Sequence, residues 1–140
     1  MKYSNDGLKL TERFESCRLK AYLDTGGVPT IGYGHTRGVK LGDTCTQEQA
    51  EEWLRQDVQV AEDAVNKFTK VELTQGQFDA LVDFTFNVGV AAFLHSTLLK
   101  KLNSGDYKGA EAELDRWVKD NGKVLAGLQK RRDAEQELFD

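Results

Sequence analysis

Glu15, Asp24 and Thr30 stand with eight and then five residues between them, inside a segment that runs from Phe14 to His35. Two carboxylates and a hydroxyl held by a helix end and a tight hairpin are equipment for cutting a glycosidic bond. Such cleavage needs one carboxyl that keeps its proton and donates it to the leaving oxygen. It needs a second, ionised, that activates water or supports an oxocarbenium-like transition state.

The elements that must hold these groups follow from local pattern. Residues 5 to 16 read as a helix, with Ser4, Asn5 and Asp6 as candidate N-caps. Leu10, Phe14 and Cys17 recur at helical spacing and give it one apolar face. Glu15 falls near the helix C-terminus, where the negative end of the dipole disfavours an ionised carboxylate, a setting suited to a proton donor. Residues 18 to 24 and 28 to 35 read as short strands around the turn Thr25-Gly26-Gly27. A hairpin centred near Gly27 makes Asp24 and Thr30 cross-strand partners on one face. By the two-residue strand period Thr30, Gly32 and Gly34 share that face and leave room for a ligand at the backbone. A lone Asp or Glu is ordinarily a solvated surface residue. The joint spacing, followed at once by Gly32-Tyr33-Gly34-His35, is what favours a site.

The rest of the chain reads as helices. Thr46 and Gln49 form a capping-box pattern that opens a long helix ending near Phe68, with Ala50, Trp53, Leu54, Ala61 and Val65 as its apolar stripe. Thr74 and Gln77 repeat the pattern ahead of Phe78, Leu81, Val82 and Thr85, with Phe84 and Val88 on a second face. A helix apolar nearly all round belongs at the centre of a core. Shorter helices are expected at roughly 96 to 103, 106 to 119 and 125 to 138, broken at Asn103-Ser104-Gly105 and Asn121-Gly122. No internal repeat and no composition shift marks a second domain.

Composition sets limits. At 140 residues, 39% hydrophobic and 30% charged, the chain is an ordinary globule of one domain. A net charge of -4 offers no basic surface for nucleic acid. Lys100-Lys101 and Lys130-Arg131-Arg132 read as solvated faces. No stretch is long and apolar enough for a membrane helix, and Met1 to Gly7 lacks a signal-peptide hydrophobic region. His35 and His95 stand apart from the cysteines and form no metal-ligand cluster, so no metal is expected; His35 is expected instead to pair with a carboxylate and lock the hairpin to the helical lobe. Gly32-Tyr33-Gly34 lacks the Lys-Ser/Thr of a phosphate loop. Cys17 and Cys45 are expected as free thiols, Cys17 as a small apolar residue of the Leu10/Phe14 face.

The Glu15, Asp24, Thr30 spacing with Ile31-Gly32-Tyr33-Gly34-His35 after it resembles the phage-type lysozymes, the endolysins of glycoside hydrolase family 24. The likeness continues through Phe84 to Gly89, Phe93 to Leu99, and Gly127-Leu128 with Arg131, Arg132 and Glu135, and so spans nearly the whole chain in order. It implies a mainly α (α+β) two-lobed lysozyme fold: a small lobe with a short β-hairpin (about 13–45), a long connecting helix (about 46–68) and a larger helical lobe (about 70–140), all in a single domain 1–140. The implied activity is hydrolysis of the β-1,4 bond between N-acetylmuramic acid and N-acetylglucosamine in peptidoglycan, lysing the bacterial cell for phage release. Glu15 would be the proton donor, with Asp24 and Thr30 positioning water or supporting positive charge, and inversion of configuration as the outcome. Phe86 and Ser96 match positions that line the sugar cleft in the family. The likeness implies no cofactor, a glycan strand as partner, a monomer without stable membrane contact, and storage in the host cytoplasm before action on the wall in the periplasm, unless an N-terminal signal anchor has been removed. Two rivals stand beside this reading: a catalytically silent glycan-binding module on the same fold, and a lytic transglycosylase that uses one glutamate and yields an anhydro sugar.

Overall fold

The computed structural model describes residues 1–140. The chain begins with helix α1 (Asn5–Phe14) and continues into a hairpin of β1 (Arg18–Leu23) and β2 (Pro29–Gly32). The long helix α2 (Gln47–Phe68) leads to α3 (Gln75–Val88), α4 (Val90–His95), α5 (Thr97–Asn103) and α6 (Tyr107–Glu113). A single 3-10 turn, Leu114–Arg116, precedes a second small hairpin of β3 (Lys119–Asp120) and β4 (Lys123–Val124), and α7 (Ala126–Phe139) closes the chain.

Capping explains the helix starts. Ser4, of the three candidates, caps α1 by accepting from the Gly7 amide. Thr46 caps α2 through the Gln49 amide, and Thr74 with Gln77 forms the full reciprocal box on α3. Three boundaries differ from the sequence pattern. Helix α1 ends at Phe14, so Glu15 is its C-cap in extended conformation and not an interior residue. The helix expected over 106 to 119 stops at Glu113, turns once more as 3-10 and gives way to strand, because Val118 and Leu125 pair across Asn121-Gly122 as a hairpin. The segment Val90–His95, with no expected structure, is a short helix whose start is Gly89 at φ 97°.

Two apolar cores share α2, one along its first half at Ala50, Leu54 and Val58 and one along its second at Ala61 and Val65. The larger joins Val65, Phe78, Leu81, Phe84, Phe93, Leu98, Leu102, Leu114 and Phe139 around α3, which is buried on every side as its pattern requires. The smaller gathers Leu8, Tyr33, Ala50, Leu54 and Val58. Half-buried Phe86 packs against both.

The hairpin departs from its expected register. Thr30 pairs with Tyr22 and Pro29 with Leu23, while Asp24 lies beyond the ladder in the turn. An irregularity between Arg18 and Tyr22 shifts the pairing, so Asp24 and Thr30 are not cross-strand partners. Nor do Thr30, Gly32 and Gly34 continue one face, since Gly32 (φ 64°) and Gly34 (φ 81°) both leave the strand conformation. Of the aliphatic residues Leu19, Ala21, Leu23 and Ile31, only Ala21 and Ile31 turn inward; Leu19 and Leu23 are exposed. Gly32 serves close packing: a Cβ there would meet the Ala50 Cβ at 3.1 Å, so a bare backbone lets the hairpin press on α2. His35 makes the second attachment, its Nδ1 lying 2.8 Å from Asp57 Oδ2 and its ring stacked on Trp53 at 4.6 Å. The expected carboxylate is there, and it belongs to the connecting helix, not to the helical lobe.

Gly32→Ala is expected to lower stability by about 1–3 kcal/mol, from left-handed backbone strain and crowding on Ala50 together. A denaturant midpoint equal to that of the parent would show that the hairpin seats on α2 by other means. Hydrogen exchange should find residues 18 to 34 exchanging far faster than Phe78–Val88, because the hairpin buries few apolar groups and α3 buries nearly all of its own.

Candidate active site

Glu15 stands at the α1 C-terminus and Asp24 and Thr30 on the hairpin, each in a different setting. Glu15 is half-buried; its backbone amide still donates to Thr11 O, which fixes the Cα at the helix end. Its Oε2 accepts from Arg131 Nη1 at 2.5 Å. A Cβ on Gly34 would stand 3.5 Å from Oε1, so that oxygen faces the open glycine backbone. The bare helix end expected around this carboxylate is therefore not its environment; its nearest charged group is a guanidinium. Asp24 is exposed, and its Oδ1 accepts from the amides of Gly26 and Val28, each at 2.8 Å, which fixes the carboxylate and leaves Oδ2 outward. Thr30 is 4% exposed and its hydroxyl donates to Val28 O at 2.9 Å. A Thr hydroxyl whose proton is so committed offers its lone pairs to a visiting donor such as water.

Arg131 is the residue that the sequence pattern concealed. It is 3% exposed, and Arg132 beside it is fully buried, so Lys130-Arg131-Arg132 is not a solvated face. Arg131 turns Nε and Nη2 to the two oxygens of Asp83, at 2.9 and 2.8 Å, in the bidentate fork that guanidinium geometry allows. The remaining Nη1 goes to Glu15. Asp83, fully buried on α3, also accepts from the Thr11 hydroxyl at 2.8 Å, and Tyr3 closes the chain on Thr11 Oγ1 at 2.7 Å. Burial alone would raise the Asp83 pKa, but hydrogen bonds from Glu135, Arg131 and Thr11 together with the Arg131 charge hold it below the usual carboxylate range. Burial lowers Arg131, and the Asp83 and Glu15 contacts more than reverse this. One sequence signal pointed here: Asp79 and Asp83 on an otherwise apolar helix require buried partners.

Residues 12–135 match the phage lysozyme family. The chain belongs to that family. It is 51% identical to the endolysin of Acyrthosiphon pisum secondary endosymbiont phage 1, over 100% of this chain and 99% of that one. Among solved structures it superposes on the muramidase domain of SpmX from Asticaccaulis excentricus with a TM-score of 0.94 at 41% identity, covering 99% and 97% of the two chains. A mutant P22 lysozyme superposes with a TM-score of 0.90 at 40% identity, covering 99% and 98%. The two-lobed lysozyme fold is thereby established for this chain.

The two positions matched to the family cleft sit differently. Phe86 lies where the two cores meet, half-buried. Ser96 is 4% exposed; its hydroxyl donates to Phe93 O at 2.7 Å and accepts from the Leu99 amide at 3.1 Å as the cap of α5. Its proton and one lone pair are thus engaged, and a sugar hydroxyl would meet it only as a donor to the remaining lone pair. Cys17 and Cys45 are free, half-buried and packed on the smaller core; burial pushes both thiols up. Cys17 lies past the end of α1, beside Tyr33 and Gln47, rather than on the Leu10/Phe14 face. No group of three or more His, Cys, Asp or Glu side chains is arranged to hold a metal ion.

The lowered Asp83 pKa has a definite sign in stability. The stabilisation it reports is present above the unfolded value of about 3.9 and is lost as pH falls through the lower, folded value. Asp83→Asn is expected to cost about 3 kcal/mol or more at neutral pH, because Arg131 would be left with an incomplete partner. That deficit should shrink as the pH drops below about 4. A deficit independent of pH would mean that the charge of Asp83 is not what holds the fork.

Proposed function

We infer that this chain is a peptidoglycan-hydrolysing lysozyme of the endolysin type, and that it cuts the β-1,4 bond between N-acetylmuramic acid and N-acetylglucosamine. Lysis of the bacterial cell for phage release is the consequence. The observation that carries the catalytic assignment is the tethering of Glu15: Arg131 holds Oε2 while Oε1 faces the open backbone at Gly34. A general acid needs that division, one oxygen fixed and one free to reach the glycosidic oxygen.

In this mechanism Glu15 donates its proton as the bond to the leaving sugar breaks. Asp24, ionised and exposed in its turn, accepts a proton from the attacking water or supports positive charge at the anomeric carbon. Thr30, with its proton engaged by Val28 O, accepts a hydrogen bond from that water and orients it. Attack from the face opposite the leaving group inverts the anomeric configuration. Phe86, at the seam of the two lobes, is assigned as cleft wall, and Ser96 as a residue that shapes the same cleft by fixing the start of α5. The enzyme is read as a monomer that needs no cofactor, reaching the wall in the periplasm after storage in the host cytoplasm. No helix of the chain is long and apolar enough to cross a membrane.

Glu15→Gln is expected to reduce lysis of permeabilised Gram-negative cells by roughly 10²- to 10⁴-fold with an unchanged melting profile. Activity retained within a factor of about ten would remove Glu15 from the acid role and assign it to another group, whereas a wild type without lytic activity would favour the silent glycan-binding module. On soluble glycan, proton NMR of the first product formed should show the α-anomer, and mass spectrometry a hydrated reducing end. An anhydro sugar would assign the chain to the transglycosylases instead. Thr30→Ala should lose far more activity than Phe84→Ala, while Phe84→Ala, emptying a fully buried site, should cost about 3–5 kcal/mol of stability.

A further inference from the structure

Beyond Asp83 the hydrogen bonds run on to a hydroxyl that the reaction as described does not use. Residues 1–4 lie across α2 and α3. Asn66 of α2 donates to Met1 O at 2.8 Å, and Gln75 of α3 donates to Lys2 O at 2.9 Å. The Tyr3 amide donates to Glu62 Oε1 of α2, and Ser4 Oγ donates to Asp79 of α3. The Tyr3 side chain, held in this way, packs on both apolar cores. It also covers Gly7, where a Cβ would come within 2.3 Å of its ring. Its hydroxyl lies 2.7 Å from Thr11 Oγ1.

The number of protons gives this contact a direction. Thr11 Oγ1 has one proton and two acceptors within reach: Asp83 Oδ1 at 2.8 Å and, one turn back on its own helix, Gly7 O at 3.3 Å. Asp83, with both oxygens on the Arg131 fork, is an acceptor only. Tyr3 is therefore the donor in its contact with Thr11. Burial and the Asp83 charge raise the tyrosine pKa, so the proton is retained at neutral pH. Thr11 and Asp83 are both 0% exposed, and solvent has no access to the junction. A donor arriving at one lone pair fixes the Thr11 hydroxyl and points its proton at Asp83. Without that donor the proton is free to turn back to Gly7 O, which leaves Oδ1 with Arg131 Nη2 alone.

We propose that Tyr3 is a positioning residue of the active site: its hydroxyl donates to Thr11, which directs the Thr11 proton to Asp83 and steadies the Arg131 fork that holds Glu15. The catalytic consequence rests on the reading of Glu15 as the acid; the coupling of Tyr3 to Arg131 does not.

The test measures kcat and KM on soluble glycan for the whole protein and its variants, each well below its own melting point. Tyr3→Phe keeps the ring and removes only the hydroxyl. It should lose about threefold to tenfold in kcat, the scale of one hydrogen bond, with KM little changed. Thr11→Val should lose at least as much, and Thr11→Ser, which keeps the hydroxyl, should restore most of the rate. Because Tyr3 acts through Thr11, Tyr3→Phe with Thr11→Val should be no slower than Thr11→Val alone. In ¹⁵N NMR the Arg131 Nε–H should exchange with water faster in Tyr3→Phe than in wild type. Tyr3→Phe and Thr11→Ser carry the comparison if Thr11→Val fails to fold. A Tyr3→Phe variant with a lowered melting point and full kcat overturns the proposal, since its hydroxyl would then serve stability alone. So do losses that multiply in the double variant, or an Arg131 signal that Tyr3→Phe leaves unchanged. If Glu15→Gln kept activity while Tyr3→Phe sped the Arg131 exchange, the assignment of the acid would fail and the coupling would stand.

Discussion

Everything at the active site depends on the partition of one buried guanidinium. Arg131 joins two residues that are distant in sequence, Asp83 at a separation of 48 residues and Glu15 at 116. Removing an arginine from water costs several kcal/mol, and the cost is offset only where its donors meet acceptors in good geometry. Asp83 meets the fork with both oxygens, and α1 and α7 converge on α3 to make this possible. A lysine could not substitute, because a point charge cannot serve two carboxylates along two edges of a plane. The setting of Glu15 therefore depends on the whole fold: it has its tether only where the first helix and the last are both docked on the central one.

The other half of the site hangs on α2. The hairpin carrying Asp24 and Thr30 has little apolar surface of its own, with Ile31 and Ala21 its buried aliphatics. It is instead pressed on the connecting helix at Gly32–Ala50 and clamped by the His35–Asp57 contact and the ring stack on Trp53. The proposed proton donor and the proposed water-positioning groups thus belong to differently anchored parts, one tied to α3 through Arg131 and one to α2. Glycine at the junction is a packing device first. Room for a ligand appears at Gly34, where the missing side chain leaves Glu15 Oε1 uncovered.

Much of this was legible in the chain, for physical reasons that differ by element. Capping patterns at Thr46 and Thr74 are local, so both helices begin where they should. The apolar girth of α3 reports its central burial directly. The spacing of Glu15, Asp24 and Thr30 underlies the proposed chemistry, but strand register does not follow from it: the irregularity between Arg18 and Tyr22 moves Asp24 out of the ladder. The second small hairpin was missed because two residues per strand carry no periodicity. The buried ionic network was hidden more deeply. Lys130, Arg131 and Arg132 look like a charged surface run, and only the positions of Asp79 and Asp83 on an apolar helix hint that cations must come inside to meet them.

That network also resolves a difficulty in the proposed chemistry. An isolated guanidinium in contact with a carboxyl opposes its protonation, which is the reverse of what a proton donor needs. Arg131 is not isolated. Asp83, anchored by Thr11 and buried beyond the reach of water, takes two of the donor nitrogens and balances the charge at a distance of 2.8 to 2.9 Å. Glu15 consequently meets one corner of an ion pair that is already made, through a single directional hydrogen bond. The pair holds Oε2 in place, and Oε1 remains free to carry the proton toward the leaving oxygen. In the proposed chemistry, burying Asp83 is thus what makes an arginine compatible with an acid beside it. A fold that tethered Glu15 by an unbalanced cation would gain the same position and oppose the proton that gives the position its use.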